Sequence, residues 1–539
     1  VQEGALARFR TAGGRTAVIA YAEETNLRVG NQLMRELRLL GDTVNPFRLY
    51  PASGPASYDS ARAVIADNPR VVFATGVRFI AGRGHVQMPD SLAALIQQTD
   101  SLKPTVVASL GSPYLLRQLP TFGGTFLIAW SDAVATERAV ARALRGGAPI
   151  SGRLPITLSD TYPRGHGVTV AASLTPARLD GVARLLEHEV AEGAFPGAVL
   201  AVGHRGAVAV RAVGRYGEED PRPVHEGTVY DLASLTKVVG LTTATMLLVA
   251  EGTLELDRPA QHYLPAFEGP GKEGITVRHL LTHSSGLPAW DTLYLKADTP
   301  EEALALVMRA PLEAAPGERY VYSDLGAITL TKVVEAVAGE PLDALLERRV
   351  FKPLAMRHTR FRPPEEWLPM IAPTERDPWR GRLVHGEVHD ENAYRLGGVS
   401  GHAGLFSTAP DLARFAGWML DAWAGRLTPG AEPSLPAEVV REFTRRQPGP
   451  EGSSRALGWD TPSPSVRSSA GTLLSPSSFG HTGFTGTSIW IDPERELFII
   501  LLTNRVHPTR DNRAILRIRG QVADSVVAAL DGAPAAPQP

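Results

Sequence analysis

The chain contains no cysteine, so disulfides, thiol catalysis and thiolate metal sites are excluded at once. Neither sign of charge is in excess: 55 Lys and Arg stand against 57 Asp and Glu, a net charge of -2. That argues against a nucleic-acid binder, because phosphate backbones are held by basic surfaces. Apolar runs fall short of the ~20 residues of a membrane span, so no span is expected. Val1 opens a charged, mixed segment rather than the apolar core of a signal peptide, and it is not an initiator Met, which fits a processed start. A G-x-S-x-G elbow is also missing. Ser400 lies in Gly-Val-Ser-Gly-His and reads as a loop residue before the Gly404 turn.

What is present has the balance of a folded protein, 43% hydrophobic and 21% charged. At about 150 residues per domain, 539 residues suggest three or four domains, fewer if one is large. No internal repeat of fixed period is found. Through the first 160 residues, strand-like runs at 16–21, 45–50, 70–75, 105–110 and 125–130 alternate with helical patterns at 27–40, 58–66, 91–98 and 133–144. The first helical pattern sets Leu27, Leu33, Met34, Leu37 and Leu40 on one face. Buried strands alternating with helices predict an α/β fold, a flavodoxin-like layer with a parallel sheet covered on both faces. Ser112 after Gly111 reads as a turn at a strand end, and Glu23, Asp59 and Asp132 as caps or solvated loop residues.

The phrases VVASLGSPYLL (106–116), FLIAWSD (126–132) and GAPISGRLPITL (147–158) resemble the C-terminal α/β domain of glycoside hydrolase family 3, over about residues 10–160. In that family the nucleophilic carboxylate sits on a preceding TIM barrel. The chain has no room for a barrel of about 250 residues, so the resemblance implies a module that is non-catalytic alone. The polar stretch 159–168 breaks the βα rhythm and places a boundary, giving a first domain of 1–165, a second of 172–532 and a flexible tail at 533–539. The second domain opens with a helix over 174–191 and a hairpin, 197–204 with 207–213, turning at His204-Arg205-Gly206. Segments 429–452 and 462–478, rich in Pro, Ser and Gly, read as loops over a site or ordered surface insertions.

The strongest chemical signal is Asp231-Leu-Ala-Ser234-Leu-Thr-Lys237, running into an apolar helix. With Ser234 in the first turn, Lys237 lies one turn on along the same face. A serine hydroxyl needs a neighbouring base, and a lysine stripped of water is a candidate because burial lowers its pKa. The helix N-terminus favours a developing oxyanion. Alone, S-x-x-K also describes a capping serine beside a solvated lysine. Its company raises it: Tyr322-Ser323-Asp324, then His481-Thr482-Gly483 followed by strand-like runs at 487–491 and 497–503, with LLTHSSGLP (280–288), GHAGLFSTAPDLARFA (401–416) and LLTNRVHP (501–508) between and after.

In this order the motifs resemble the class C β-lactamase superfamily, which includes family VIII carboxylesterases, penicillin-binding proteins and D-alanyl or D-amino-acid peptidases, over about residues 172–530. The resemblance implies an antiparallel sheet with helices and a helical lobe. It implies Ser234 as nucleophile, Lys237 and Tyr322 as the base pair, and an oxyanion hole from the backbone N–H groups of Ser234 and Phe484. It implies no cofactor. Two positions depart from the β-lactamase pattern: Asp324 stands where Asn is usual and His481 where Lys is usual. An Asp–His pair would leave less positive charge for a β-lactam carboxylate; the alternative for His481 is a strand histidine bonded to a backbone carbonyl. The expectation is a serine hydrolase, most simply a carboxylesterase with weak β-lactamase activity, alternatively a D-amino-acid peptidase or a cell-wall scaffold. Its partners would be small esters, amides or β-lactams and peptidoglycan fragments, in the periplasm or outside the cell.

Other residues read more plainly. His385 and His389 lack the H-E-x-x-H order of a zinc helix and fit a polar loop. His283 fits a structural helix end, and Thr408 with Asp411 a helix cap. Trp418, Trp490 and Phe406 read as core, while Trp290 and Phe484 are placed near the acyl pocket.

Overall fold

In the computed structural model the described residues are 5–12, 15–23, 26–77, 87–168, 170, 174, 176–427, 432–463 and 468–531. The chain divides into two compact units, Val1–Pro176 with Gly203–Ala209, and Ala177–Val202 with Val210–Pro539.

The first unit carries β1 (Arg15–Tyr21), β2 (Thr43–Leu49), β3 (Arg70–Thr75), β4 (Thr105–Ser109) and β5 (Thr125–Ile128) in one sheet, ordered β2-β1-β3-β4-β5. Every pairing is parallel. This is an order found among doubly wound sheets. The helices are α1 (Ala5–Thr11), α2 (Asn31–Leu39), α3 (Pro55–Ala66), α4 (Asp90–Leu102) and α5 (Val134–Leu144). One core packs Leu33, Leu37, Val140 and Leu144 on Val18, Val72 and Val106. The other packs Tyr58, Ile65, Leu92 and Ile96 on Ile19, Phe73 and Val107. Successive residues of β1 and β3 therefore feed opposite cores, which is why these strands read as continuous apolar runs.

Leu27 departs from the expected helix face: it is 58% exposed and precedes α2. The helix starts later because Glu137 fixes its N-terminus. The Glu137 carboxylate accepts the backbone N–H groups of Gly30, Gln32 and Leu33 at 2.9, 2.8 and 2.9 Å. This end of α2 follows β1, beside the β1/β3 position where the strand order reverses, the usual ligand crevice of such sheets. Here an internal carboxylate occupies the helix N-terminus. Ser112 caps a short 3₁₀ helix, Pro113–Gln118.

The expected boundary at 159–168 lies inside the first unit. Ile150 bridges Val170, and Leu154 donates to the His166 carbonyl, so the segment folds back as a hairpin before the division at Pro176. The tail 533–539, and residues 429–431 and 464–467 of the proline-rich segments, lie outside the described residues.

The second unit opens with α6 (Asp180–Ala191). Strands β6 (Gly197–His204) and β7 (Ala207–Gly214) meet at Arg205 and Gly206, both with positive φ, 50° and 78°, the signature of a type I′ hairpin turn, whose tip, Gly203–Ala209, is counted with the first unit. They continue a sheet ordered β13-β14-β15-β6-β7, where β13 is Phe479–Thr482, β14 is Ser488–Asp492 and β15 is Leu497–Thr503. The pairs β13/β14 and β14/β15 are antiparallel. A small antiparallel sheet joins β8 (Val229–Asp231), β12 (Leu405–Thr408) and β9 (Arg360–Phe361), and β10 (Arg376–Asp377) pairs with β11 (Arg382–Leu383). Helices α7 (Thr243–Ala250), α8 (Asp324–Ala338) and α9 (Ala409–Trp423) complete the frame used below. Thr408 caps α9 by accepting from the Asp411 N–H. Among the described residues one helix, Ala233–Ala250, is long and apolar enough to cross a membrane by length and composition, and 83% of it is buried inside the unit. An all-round apolar helix so enclosed is a core helix. Trp418, Trp490 and Phe406 are buried with it.

Glu137→Ala strips three N–H groups, two of them buried, of their acceptor. We expect a loss of about 1–3 kcal/mol, read as a lower urea midpoint; an unchanged midpoint would show that the carboxylate is dispensable to α2.

Candidate active site

Ser234 stands on a 3₁₀ turn, Ala233–Leu235, between β8 and the core helix. Asp231 shapes the entry. Its Oδ1 accepts the Ala233 N–H at 2.8 Å and its Oδ2 accepts the His389 N–H at 2.7 Å. Ala233 takes the left-handed conformation, φ 46°, a strain that persists only where the surroundings over-determine it. The helix continues as a π turn, Lys237–Thr242, before becoming α7; such turns recur at functional sites.

Lys237 is 3% exposed and each of its three donors has an acceptor. Nζ donates to Ser234 Oγ at 3.2 Å, to Asp324 Oδ1 at 2.7 Å and to the His402 carbonyl at 3.0 Å. Burial pulls its pKa down, but the Asp324 carboxylate and Tyr322 outweigh burial and raise it above the ordinary lysine value. Burial alone would favour the neutral amine, as the sequence suggests; the carboxylate at 2.7 Å favours the charged form instead.

Asp324 begins α8, and Ser323 caps that helix, accepting from the Gly326 N–H at 3.0 Å and donating to the Pro288 carbonyl at 2.6 Å. Tyr322 is placed by this cap. The His283 ring lies 4.5 Å from its ring and the His481 ring 6.0 Å. Lys237 Nζ is 4.9 Å and Arg455 Cζ 5.1 Å from the same centroid. Burial first, then the nearby Arg455 and Lys237, push both His283 and His481 well below the usual histidine value. Both rings are neutral at pH 7.

The expected Asp324–His481 pair does not form. Asp324 is taken by Lys237, and His481 Nδ1 donates to the Thr482 carbonyl at 2.8 Å. The strand that carries His481 is stitched to the loop ahead of Ser234. Thr485 Oγ1 donates to the Asp231 carbonyl at 2.7 Å and Thr487 Oγ1 to the Leu232 carbonyl at 2.9 Å. A Cβ on Gly483 would stand 2.3 Å from the Leu232 carbonyl oxygen, so only glycine permits this approach. Phe484 follows, 48% exposed, its ring stacked on His389 at 5.8 Å and covered by Arg505 at 4.4 Å. Trp290, 46% exposed, adjoins Ala289, whose carbonyl accepts the Asp324 N–H.

His385 and His389 diverge: His385 Nε2 donates to the Ile371 carbonyl at 2.9 Å, while His389 Nε2 meets Glu375 Oε2 at 2.8 Å. Arg510 Nε donates to the same Glu375 oxygen at 2.7 Å. Burial would raise Glu375, but His389 and Arg510 hold it down at about 2. Sequence reasoning missed several members of the site. Asp231 stood in the motif with no role. His402 matters through its carbonyl, which any residue carries. His283 read as a helix end, and Arg455 belongs to no motif.

A family model described as Beta-lactamase matches residues 182–524. Among curated proteins, the chain is 35% identical over 356 residues to a protein of Escherichia coli (strain K12) named "Putative D-alanyl-D-alanine carboxypeptidase", covering 58% of this chain and 80% of that one. A protein of the same name from Salmonella schwarzengrund (strain CVM19633) is 35% identical over 309 residues, 52% of this chain and 70% of that one. Two solved structures share the fold: "EstCE1, a hydrolase with promiscuous acyltransferase activity", at TM-score 0.52 and 23% identity over 65% of this chain and 99% of that one, and a penicillin-binding protein homologue from Caulobacter crescentus, at 0.53 and 20% over 65% and 97%. By the extent of the family match, the chain belongs to the β-lactamase family of serine hydrolases.

Proposed function

We propose that the chain hydrolyses small esters and amides through an acyl-enzyme on Ser234. The observation that carries this reading is Ser234 Oγ within 3.2 Å of a buried ammonium that Asp324 holds in place. Ser234 Oγ attacks the substrate carbonyl carbon. Its proton passes to Tyr322, which acts with Lys237 as the general base. The carbonyl electron pair moves onto oxygen between the backbone N–H groups of Ser234 and Phe484. Collapse expels the leaving group, which takes the proton from Tyr322. Water then repeats the sequence on the acyl-enzyme.

The charge balance favours neutral substrates. Lys237 is matched by Asp324, and His481 is neutral, so the His481 position itself offers no cation for a β-lactam carboxylate. A carboxylesterase with weak β-lactamase activity is the first reading. D-alanyl or D-amino-acid peptidase activity is the second, favoured by the names of the curated relatives at 35% identity. A scaffold role is disfavoured by the assembled Ser234, Lys237 and Tyr322. We read the first unit as a non-catalytic module similar to the C-terminal domain of glycoside hydrolase family 3. Support comes from its parallel sheet and the internal carboxylate at the α2 N-terminus. The pairing of modules suits peptidoglycan fragments, and a periplasmic or extracellular setting, by fold-level association.

Hydrolysis of p-nitrophenyl acetate and butyrate, nitrocefin and a D-Ala-D-Ala peptide by wild type and Ser234→Ala tests this. We expect ester hydrolysis to exceed nitrocefin hydrolysis and to fall by roughly 10³-fold or more without the serine. Retained activity moves the nucleophile elsewhere, and a peptide rate above the ester rate makes the second reading the correct one. Asp324→Asn leaves the Lys237 charge unmatched. The nitrocefin-to-ester ratio should rise about tenfold, the worth of one new charge contact; an unchanged ratio means that this ion pair does not set the preference.

A further inference from the structure

Ser400, His402 and Asp390 form a largely buried polar chain that the acyl transfer does not use. His402 Nε2 donates to Asp390 Oδ1 at 2.9 Å, and Nδ1 lies 2.7 Å from Ser400 Oγ. His402 is buried, and so is Ser400. A carboxylate, an imidazole and a serine hydroxyl in line are the parts of a catalytic triad. Here the ring is turned the other way, with Nε2 on the carboxylate, and the chain leads to Lys237 rather than to a substrate. What His402 presents to the site is its backbone carbonyl, 3.0 Å from Lys237 Nζ.

Any residue carries a carbonyl, so the identity of residue 402 matters through its ring. Burying an imidazole is costly unless its nitrogens find partners, and both do. The backbone on either side is pinned as well. The Gly401 N–H donates to Thr331 Oγ1 of α8 at 2.9 Å, and the Leu405 N–H to Thr236 Oγ1 at 3.1 Å, one residue before Lys237. Asp390 is itself fixed. Its Oδ1 also accepts the Ala393 N–H at 2.7 Å, and the N–H of the preceding His389 is held by Asp231. Burial would raise the Asp390 pKa, but His402, the Ala393 N–H and Lys237 hold it below the ordinary carboxylate range, so it stands as an acceptor at neutral pH.

A lysine amine sits on a flexible four-carbon stem, and its three donors rotate together. With Asp324 Oδ1 at 2.7 Å and the His402 carbonyl at 3.0 Å both fixed, the third donor has one direction left, toward Ser234 Oγ at 3.2 Å. With Asp324 alone, Nζ is free to turn about that contact and the Ser234 distance is no longer set. We infer that His402 and Asp390 are positioning residues for Lys237: the ring, held by the Asp390 carboxylate, aims the His402 carbonyl at Nζ and so fixes the donor that meets Ser234. This rests on the acyl-enzyme reading above. The effect passes through Nζ, so it belongs to the rate of the chemical step and not to substrate binding.

The test is the split between kcat and KM for p-nitrophenyl butyrate, with the folded fraction of each variant fixed from its urea curve. His402→Leu keeps the bulk of the ring and removes both nitrogens. A misplacement near 1 Å costs on the order of 100-fold, so kcat should fall by about tenfold or more, with KM held within about twofold. His402→Gln restores a donor at the reach of Nε2 and should recover most of that loss. Asp390→Ala should match His402→Leu, and the double variant should fall no further than either, because both act through one carbonyl. A residue that serves only the fold would lower the urea midpoint and leave the kcat of the folded enzyme unchanged. That result overturns the proposal, as does a rise in KM at constant kcat, a glutamine variant no better than leucine, or losses that add in the double variant. If His402→Leu does not fold, Asp390→Ala, at a side chain 24% exposed, and His402→Gln decide by the same kcat criterion. An inactive Ser234→Ala beside an undiminished His402→Leu removes the positioning role alone; activity that survives Ser234→Ala removes the acyl-enzyme reading itself.

Discussion

A lysine ammonium buried in a protein core must have its charge answered, and here Asp324 answers it at 2.7 Å. Much of the second unit is arranged around that contact. The carboxylate must arrive at the start of α8, so Ser323 caps the helix and the Pro288 carbonyl holds Ser323. The third proton of Lys237 needs an acceptor, and the His402 carbonyl beside β12 provides it. Ser234 then receives the remaining donor. Breaking a buried pair by removing one partner costs about 3–5 kcal/mol, so Ser234 is positioned by an interaction the core cannot easily give up.

The same contact bears on the proposed chemistry. With Asp324 present the charged form of Lys237 is favoured, which draws attention to the side chain beside it. Tyr322 is the side chain that Lys237, His283, His481 and Arg455 all face. Two of the four are neutral because burial among cations leaves a histidine no reason to add another charge. Asp324 and His481, the two departures from the β-lactamase pattern, thus act separately, one binding the lysine and the other withholding a cation from the strand.

The strand and helix pattern of both units was legible because buried parallel strands and an I′ turn have strong local signatures. β3 at Arg70–Thr75 and the turn at Arg205-Gly206 follow from their residues alone. Ser234, Lys237, Tyr322 and Asp324 were legible because spacing along a helix and motif order are sequence properties. Their protonation was not. Whether Lys237 is neutral depends on burial set against a carboxylate 87 residues away. The start of α2 was misplaced for a similar reason: Leu27 is apolar enough to join the helix face, but Glu137, over a hundred residues on, determines where the helix begins. Long-range polar contacts leave no period in the chain.

Glu137 also bears on how the chain divides its labour. A doubly wound sheet offers its anion site where the strand order reverses, and a helix N-terminus there normally presents free N–H groups to a ligand. In the first unit those groups are spent on a side chain of the same unit, so the feature stabilises the fold. In the second unit the order of use is reversed. Asp231 shapes the loop ahead of the core helix, Ala233 accepts a left-handed φ, and a lysine is buried beside Ser234. A carboxylate that satisfies a helix end is what stability alone would select. A left-handed alanine held beside a serine and a buried lysine is not, and strain of that kind serves a site rather than a fold.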